Sequence, residues 1–301
     1  MVDPVAVVRA ELGVAEATVV DRYTENSGLK DGVYRVQTPD HDVVVSVGSY
    51  NIFTRSYTEP FPMLAAGEAG FDGVPAVYGY DVDQAYLVME HVPGEALLEQ
   101  SAGPVVTLRT VGRLLGRLQQ ATRGETYGFF RPDGSRDRNT SWPAVLRRLV
   151  AHYLDEAGEP ASTSLADRVA GALVDREPAS AVYHGDAAPR NVVCPPDGSP
   201  QFVDFQNGAV FDRNLEPTTR AVREAHKRAD SPEHWRRLVT EFWNGYETVT
   251  GRSPDNVRAG LAVAVLQHHT ADANPEATVG QLLTADDPVA TVGQYLRRVR
   301  S

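Results

Sequence analysis

Over the first ninety residues, β-branched and aromatic positions come in short runs cut by turn-forming residues. Val19 to Thr24, Val33 to Thr38 and Val43 to Val47 are three such runs. They are separated by Asn26-Ser27-Gly28-Leu29-Lys30-Asp31-Gly32 and by Pro39-Asp40-His41-Asp42, a spacing that predicts a β-meander. A short amphipathic helix is expected before it, around Val5 to Leu12. A second is expected from about Thr58 to Ala69, where Pro60 and Pro62 suit only a first turn. Val74 to Tyr80 and Ala85 to Glu90 then complete an antiparallel sheet.

Beyond His91-Val92-Pro93-Gly94 the apolar period changes from two to 3.6. Leu108, Val111, Leu115 and Leu118 recur at helical spacing, and similar stripes run through Val145 to Leu154, Leu165 to Leu173, Trp235 to Val249 and Val257 to Leu266. A non-helical stretch, Val182 to Phe205, interrupts them with two β runs at Val192-Val193 and Phe202-Val203. The pattern predicts an α+β chain with a small antiparallel-sheet lobe over residues 1–93 and a larger, mainly helical lobe over 94–301. There is no internal repeat.

The chain has 301 residues, 42% of them hydrophobic, enough for a sizeable core. Its opening segment carries Asp3 and Arg9 where a signal peptide needs an apolar run, and no stretch is long enough to span a bilayer. A cytoplasmic protein without a membrane partner is expected. Cys194 is the single cysteine, so neither an intrachain disulfide nor a cysteine-based zinc cluster can form; beside Val192 and Val193 it reads as a small apolar strand residue. A formal net charge of −11 argues against nucleic acid as a partner. It would suit a cationic one, although surplus surface charge commonly serves solubility. Lysine occurs only at Lys30 and Lys227.

The chemistry concentrates in Val182-Tyr183-His184-Gly185-Asp186-Ala187-Ala188-Pro189-Arg190-Asn191, followed by Phe202-Val203-Asp204-Phe205. A short hairpin brings the start of one strand and the end of the next together, so Asn191 and Asp204 can face a common point. Magnesium takes oxygen ligands and keeps waters or substrate phosphates in its other positions, so one amide oxygen and one carboxylate are a plausible protein share. Asp186, on the loop between, could accept the proton of an attacking hydroxyl. One orienting carboxylate plus metal ligands suffices for phosphoryl transfer, where the protein mainly positions groups and offsets charge.

His-Gly-Asp-x-x-x-x-Asn followed by Val-Asp-Phe resembles the catalytic and metal-binding loops of the aminoglycoside phosphotransferase and choline kinase family, distant relatives of protein kinases. Tyr86-Leu87-Val88-Met89-Glu90-His91-Val92-Pro93-Gly94 is similar to that family's hinge, and Val33-Tyr34-Arg35-Val36 to its second strand. The ordered matches cover about residues 19 to 215. The resemblance implies a two-lobed kinase-like fold binding ATP, or GTP, with the purine on the main chain of Glu90 to Val92. It further implies that Asn191 and Asp204 hold Mg2+, that Asp186 orients the hydroxyl of a small-molecule acceptor, and that His184 braces the backbone.

Two departures stand out. The third-strand position that normally carries a phosphate-binding Lys or Arg holds Ser46, so its helix partner, Glu59 or else Glu68, loses the usual cation. Lys30 sits where the phosphate-covering loop should be and could supply the charge, or it could be a solvated hairpin tip; Arg35 and Arg55 are lesser candidates. After Asp204, only Asp212 and Glu216 are available where relatives use Gly-Asp-Pro and a further Asp to brace the catalytic loop. An antibiotic acceptor is the leading expectation. Phosphorylation of a sugar or amino alcohol and a binding-only pseudokinase are the alternatives. Trp142, Trp235, Trp243 and the His268-His269 pair are candidate acceptor-wall residues.

Overall fold

The computed structural model describes residues 2–23, 31–137, 141–156, 163–171, 179–196, 198–254, 257–267 and 275–300. The chain enters through helix α1 (Pro4–Leu12), whose start is capped by Asp3: its Oδ1 accepts from the N–H of Val5 at 2.9 Å. Strands β1 (Thr18–Tyr23), β2 (Gly32–Gln37) and β3 (Asp42–Val47) precede helix α2 (Pro60–Glu68), and β4 (Val77–Asp81) and β5 (Tyr86–Glu90) follow it. The five strands form one antiparallel sheet in the order β1-β2-β3-β5-β4.

Strand alternation gives β3 two different faces. Val43, Val45 and Val47 pack with Val7 and Val8 beneath α1. Val44 joins Leu87 and Met89 in a second cluster that continues without a break into the helical region. Ser46 shares the Val44 face, which is therefore the one turned toward the rest of the molecule.

The second region begins with β6 (Glu95–Ala96) and α3 (Gly103–Ala121), whose buried stripe includes Leu108, Val111, Leu115 and Leu118. Then come β7 (Gly128–Phe129), α4 (Trp142–Glu156), α5 (Thr163–Gly171), β8 (Ser180–Tyr183), a 3-10 turn over Pro189–Asn191, β9 (Val192–Cys194), β10 (Gln201–Phe202) and β11 (Ala209–Asp212). Helices α6 (Leu215–Arg228), α7 (Pro232–Thr250), α8 (Val257–Gln267), α9 (Pro275–Thr284) and α10 (Pro288–Arg300) complete the described residues. Two small sheets, β10-β9-β6 and β7-β11-β8, frame the non-helical stretch. A change of architecture, with the core continuing across it, falls at Pro93-Gly94.

The observed elements differ from the expected ones in informative places. The strand expected from Val74 starts at Val77, because Pro75 lacks an N–H for a ladder and the carbonyl of Gly73 is taken by Phe202 N–H at 2.8 Å. Strands β8 and β11, and helices α6, α9 and α10, are not separable from the apolar pattern. No helix among the described residues is long and apolar enough to cross a membrane.

Candidate active site

Strand β8 delivers the chain into a loop whose shape is set by one buried carboxylate. Glu216 stands in the first turn of α6, where the helix dipole favours an anion. Its Oε2 accepts from the N–H of His184 at 2.8 Å, and its Oε1 from those of Gly185 at 2.9 Å and Ala187 at 3.4 Å. Of the two residues left after Asp204 by sequence, Glu216 therefore braces the loop. Asp212 instead holds the turn that leads into α6, its Oδ1 accepting from the N–H of Asn214 at 2.9 Å. Burial pushes the Glu216 carboxyl up to about 7, against Arg220 and the three N–H donors, which favour its charged form.

His184 ties this loop to the one carrying Asp204. Its Nδ1 accepts from Asp186 N–H at 3.2 Å and its Nε2 donates to Val203 O at 3.0 Å, which fixes the tautomer. The ring lies against Phe205 and Phe202 at centroid distances of 4.2 and 4.7 Å. Burial lowers its pKa to about 4, so it is neutral at ordinary pH. Gly185 has a φ of +91°, and a Cβ there would lie 2.5 Å from Asn207. Only glycine fits the loop this closely against the segment after Asp204.

Asp186 and Asn191 are brought together. Asn191 Nδ2 donates to Asp186 O at 2.8 Å and to its Oδ2 at 3.0 Å, which leaves the amide Oδ1 for another partner. The main chain then links Asn191 to the second loop: its carbonyl accepts from Val203 N–H at 3.0 Å, one residue before Asp204. Asp204 is half-buried and has a left-handed φ of 68°, a conformation rare outside glycine and frequent where a side chain must be aimed. These donors are hard oxygens, one amide and one carboxylate, and they fit magnesium shared with phosphates. No group of three His, Cys, Asp or Glu side chains suited to a metal gathers among the described residues.

Asp186 is also ion-paired to two arginines. Its Oδ1 meets Arg220 Nη1, on α6, and its Oδ2 meets Arg190 Nη2. Burial alone would raise its pKa, but Arg220 and Arg190 outweigh burial and hold the carboxyl at about 2. Arg220 is itself buried and also donates to Gly185 O. Neither arginine stands out in the sequence pattern.

The sheet contributes from the opposite side. Ser46 is fully buried and its hydroxyl donates to Glu59 Oε2 at 3.0 Å. The helix carboxylate facing the third-strand position is thus Glu59, just ahead of α2; Glu68 closes the other end of that helix. Glu90 accepts from Ala76 N–H through its Oε2 at 3.2 Å, and its own N–H donates to Ala76 O at 2.8 Å. Its side chain is committed to the sheet. Buried Val92 follows, and Gly94 presses against the catalytic hairpin, where a Cβ would lie 2.2 Å from Cys194 O. Strand β6 pairs with β9 immediately after, fixing the hinge to the strand that follows Asn191.

Arg35 is engaged by Asp42, with Nη2 to Oδ2 at 2.6 Å. Arg55 is exposed. Trp142 and Trp235 are core residues, and Trp243 is half-buried with its Nε1 donating to Pro217 O at 3.2 Å. Cys194 is half-buried on β9, its thiol pKa raised by burial, as suits a packing residue. Lys30 and the His268-His269 pair lie outside the described residues.

Residues 60–213 match the family described as the phosphotransferase enzyme family. No curated protein matches the sequence. Solved structures share the fold at low identity. A candidate aminoglycoside phosphotransferase from Ralstonia eutropha JMP134 is similar at a TM-score of 0.61 and 15% identity, over 97% of each chain. A candidate fructosamine-3-kinase from Thermobifida fusca YX-ER1 gives 0.59 and 18%, over 99% of each chain. A thermostable variant of aminoglycoside phosphotransferase APH(4)-Ia, in a ternary complex with AMP-PNP and hygromycin B, gives 0.59 and 14%, over 99% of this chain and 98% of that one.

Proposed function

The chain belongs to the phosphotransferase enzyme family, and on that footing we propose that it transfers the γ-phosphoryl group of magnesium-bound ATP to a hydroxyl of a small molecule. The observation that carries the reading is the joining of Asp186, Asn191 and the Asp204 loop by the Asn191 side chain and the Val203 N–H. Asn191 Oδ1 and the Asp204 carboxylate would hold the metal, which offsets charge on the transferring phosphates when bound. The purine would lie on the main chain of Glu90 to Val92.

Asp186 sits at the end of this array. It orients the acceptor hydroxyl so that its oxygen attacks the γ-phosphorus; the new P–O bond forms as the bond to the departing ADP breaks. The hydroxyl proton passes to Asp186 and then to solvent. A carboxyl held at about 2 is a weak base. That is tolerable where the transition state is loose and the proton leaves late.

The experiment is magnesium-dependent ATP consumption with a broad panel of hydroxylated compounds, followed by product mass. Wild-type protein should give a product heavier by one phosphoryl group, and Asp204→Asn should abolish it. Equal, acceptor-independent background from both proteins would leave only a binding module.

With Ser46 paired to Glu59, the third strand offers the phosphates no cation. Lys30, in the sequence segment that corresponds to the phosphate-covering loop, is proposed to supply it. Lys30→Ala should raise the KM for ATP by about tenfold or more, as loss of one charge-assisted contact implies. Arg236→Ala, on the exposed Asp287 pair, should leave it unchanged. Matching kinetics in the two variants would exclude the relocated lysine.

An antibiotic acceptor rests here on the hygromycin B complex of one 14%-identical neighbour. The charge on the acceptor side is a more direct guide.

A further inference from the structure

Helix α6 carries Arg220, Arg223, Glu224, Lys227 and Arg228, so positions three and four apart share a face. The face starts at Glu216, which braces the catalytic loop, and reaches Asp186 through buried Arg220. One turn on stands half-buried Arg223, and beyond it exposed Lys227; Arg190, also exposed, approaches Asp186 from its own loop. Exposure thus grades from buried to open along a cationic strip that ends at the proposed catalytic carboxylate.

The anions do not cancel this strip. Glu224 is buried and spent on Lys227 and Arg228, with Nζ and Nη1 at 2.7 and 2.6 Å from its two carboxylate oxygens. Asp186 is ion-paired to both Arg190 and Arg220, and Glu216 and Glu224 also act on Arg220, so three carboxylates stand against five cations. Arg223 makes no close ion pair among the described residues and feels the Asp186 charge only at longer range. Its Nη1 donates to Gln267 Oε1 at 3.2 Å, and its Nε is buried without a hydrogen-bond partner. Such a group costs stability unless something else satisfies it. In a chain with a net charge of −11, a positive strip at this one place runs against the overall field.

The helix part of the strip lies on one side of Asp186: Arg220 holds Oδ1, whereas Asn191 and Arg190 both approach Oδ2. Gln267, which holds Arg223, bonds Tyr153 Oη of α4 at 2.5 Å, so the surroundings of Arg223 are α4 and α8. Of the nucleotide-side residues, Ser46 and Glu90 come from the sheet and Glu59 from the start of α2. We propose, resting on the phosphotransferase reading above, that the acceptor is an anion: a hydroxylated molecule bearing a carboxylate, phosphate or sulfate group that Arg223 and Arg190 hold while its hydroxyl meets Asp186. A polycationic amino sugar would bring like charge against the strip.

The test uses inorganic sulfate as the probe, titrated by thermal shift into full-length protein saturated with Mg-ADP so that the phosphate sites are filled. Wild-type protein should show saturable stabilisation. Arg223→Met, which keeps the apolar stem, should weaken sulfate at least tenfold with ADP affinity unchanged; Arg223→Lys should recover part of it and Arg236→Met should match wild type. Absent or non-saturable sulfate binding, or equal binding by Arg223→Met and wild type, would overturn the proposal. So would a variant that loses ADP affinity but keeps sulfate, since the strip would then serve the nucleotide. These sulfate results are independent of the phosphotransferase reading, which stands or falls on magnesium-dependent turnover and the Asp204→Asn variant.

Discussion

Asp186→Asn should lower kcat/KM by about 10²–10⁴-fold, the range a positioned proton acceptor contributes, while nucleotide affinity stays near that of wild type. The asparagine preserves the shape, and its oxygen can still accept from Asn191. What disappears is the charge that orients the hydroxyl and takes its proton. The same substitution strips a carboxylate from Arg220, which is buried, and breaking one side of a buried ion pair costs about 3–5 kcal/mol. A lower melting temperature is therefore part of the expected result. Measuring turnover well below that melting point, with ADP binding in parallel, separates the chemical loss from the structural one. Retention of kcat/KM within tenfold would remove Asp186 from the centre of the mechanism.

The reach of the sequence pattern follows from where polarity and burial agree. In β3, Val43 to Val47 announce a strand because β-branched residues run through it with both faces buried, and the one polar member, Ser46, is buried against Glu59. In α3, the stripe of Leu108, Val111, Leu115 and Leu118 is the buried face itself. Helix α6 breaks the rule. Its buried residues include Glu216, Thr218, Thr219, Arg220 and Glu224, so apolar periodicity cannot reveal it. Polar side chains are buried there because they brace the catalytic loop and pair with Asp186. The element hardest to read from sequence is thus the one most tied to the site. One signal does exist: a carboxylate followed four residues later by an arginine, Glu216 and Arg220, soon after a metal-loop motif. Ionisable residues at helical spacing, on a helix whose opposite side carries Ala221, Val222 and Ala225, imply a charge network held inside the molecule. The hinge and loops are legible through motif order, whereas their spatial union depends on Val203 and His184, whose contacts no linear pattern encodes.

Removing Glu216 should be the most damaging change outside the reacting groups. In Glu216→Ala the N–H groups of His184, Gly185 and Ala187 lose their acceptor in a fully buried place. An orphaned buried donor costs about 1–3 kcal/mol, so three exceed about 3 kcal/mol together and approach the whole stability of many domains. Little folded protein is expected. Glu216→Gln keeps one acceptor oxygen and should fold, with a displaced loop and turnover reduced by about tenfold or more. The two variants differ further in pH response. The folded carboxyl sits at about 7, above its ordinary 4.5, so the native state holds the extra proton between those values. Its stabilising contribution is full below about 4.5 and is lost as pH rises through 7. His184 works in the opposite sense: its folded value of about 4 lies below the ordinary 6.5, so its contribution is full above 6.5 and is lost as pH falls toward 4. Wild-type melting curves will therefore look flat across this window, and the Glu216 slope emerges only in the difference from Glu216→Gln. That difference should shrink with rising pH while wild-type kcat/KM climbs through about 7, because the ionised carboxylate is the better acceptor for the loop. An acid limb unchanged in Glu216→Gln would mean that another group controls it, since Asp186, at about 2, stays ionised throughout.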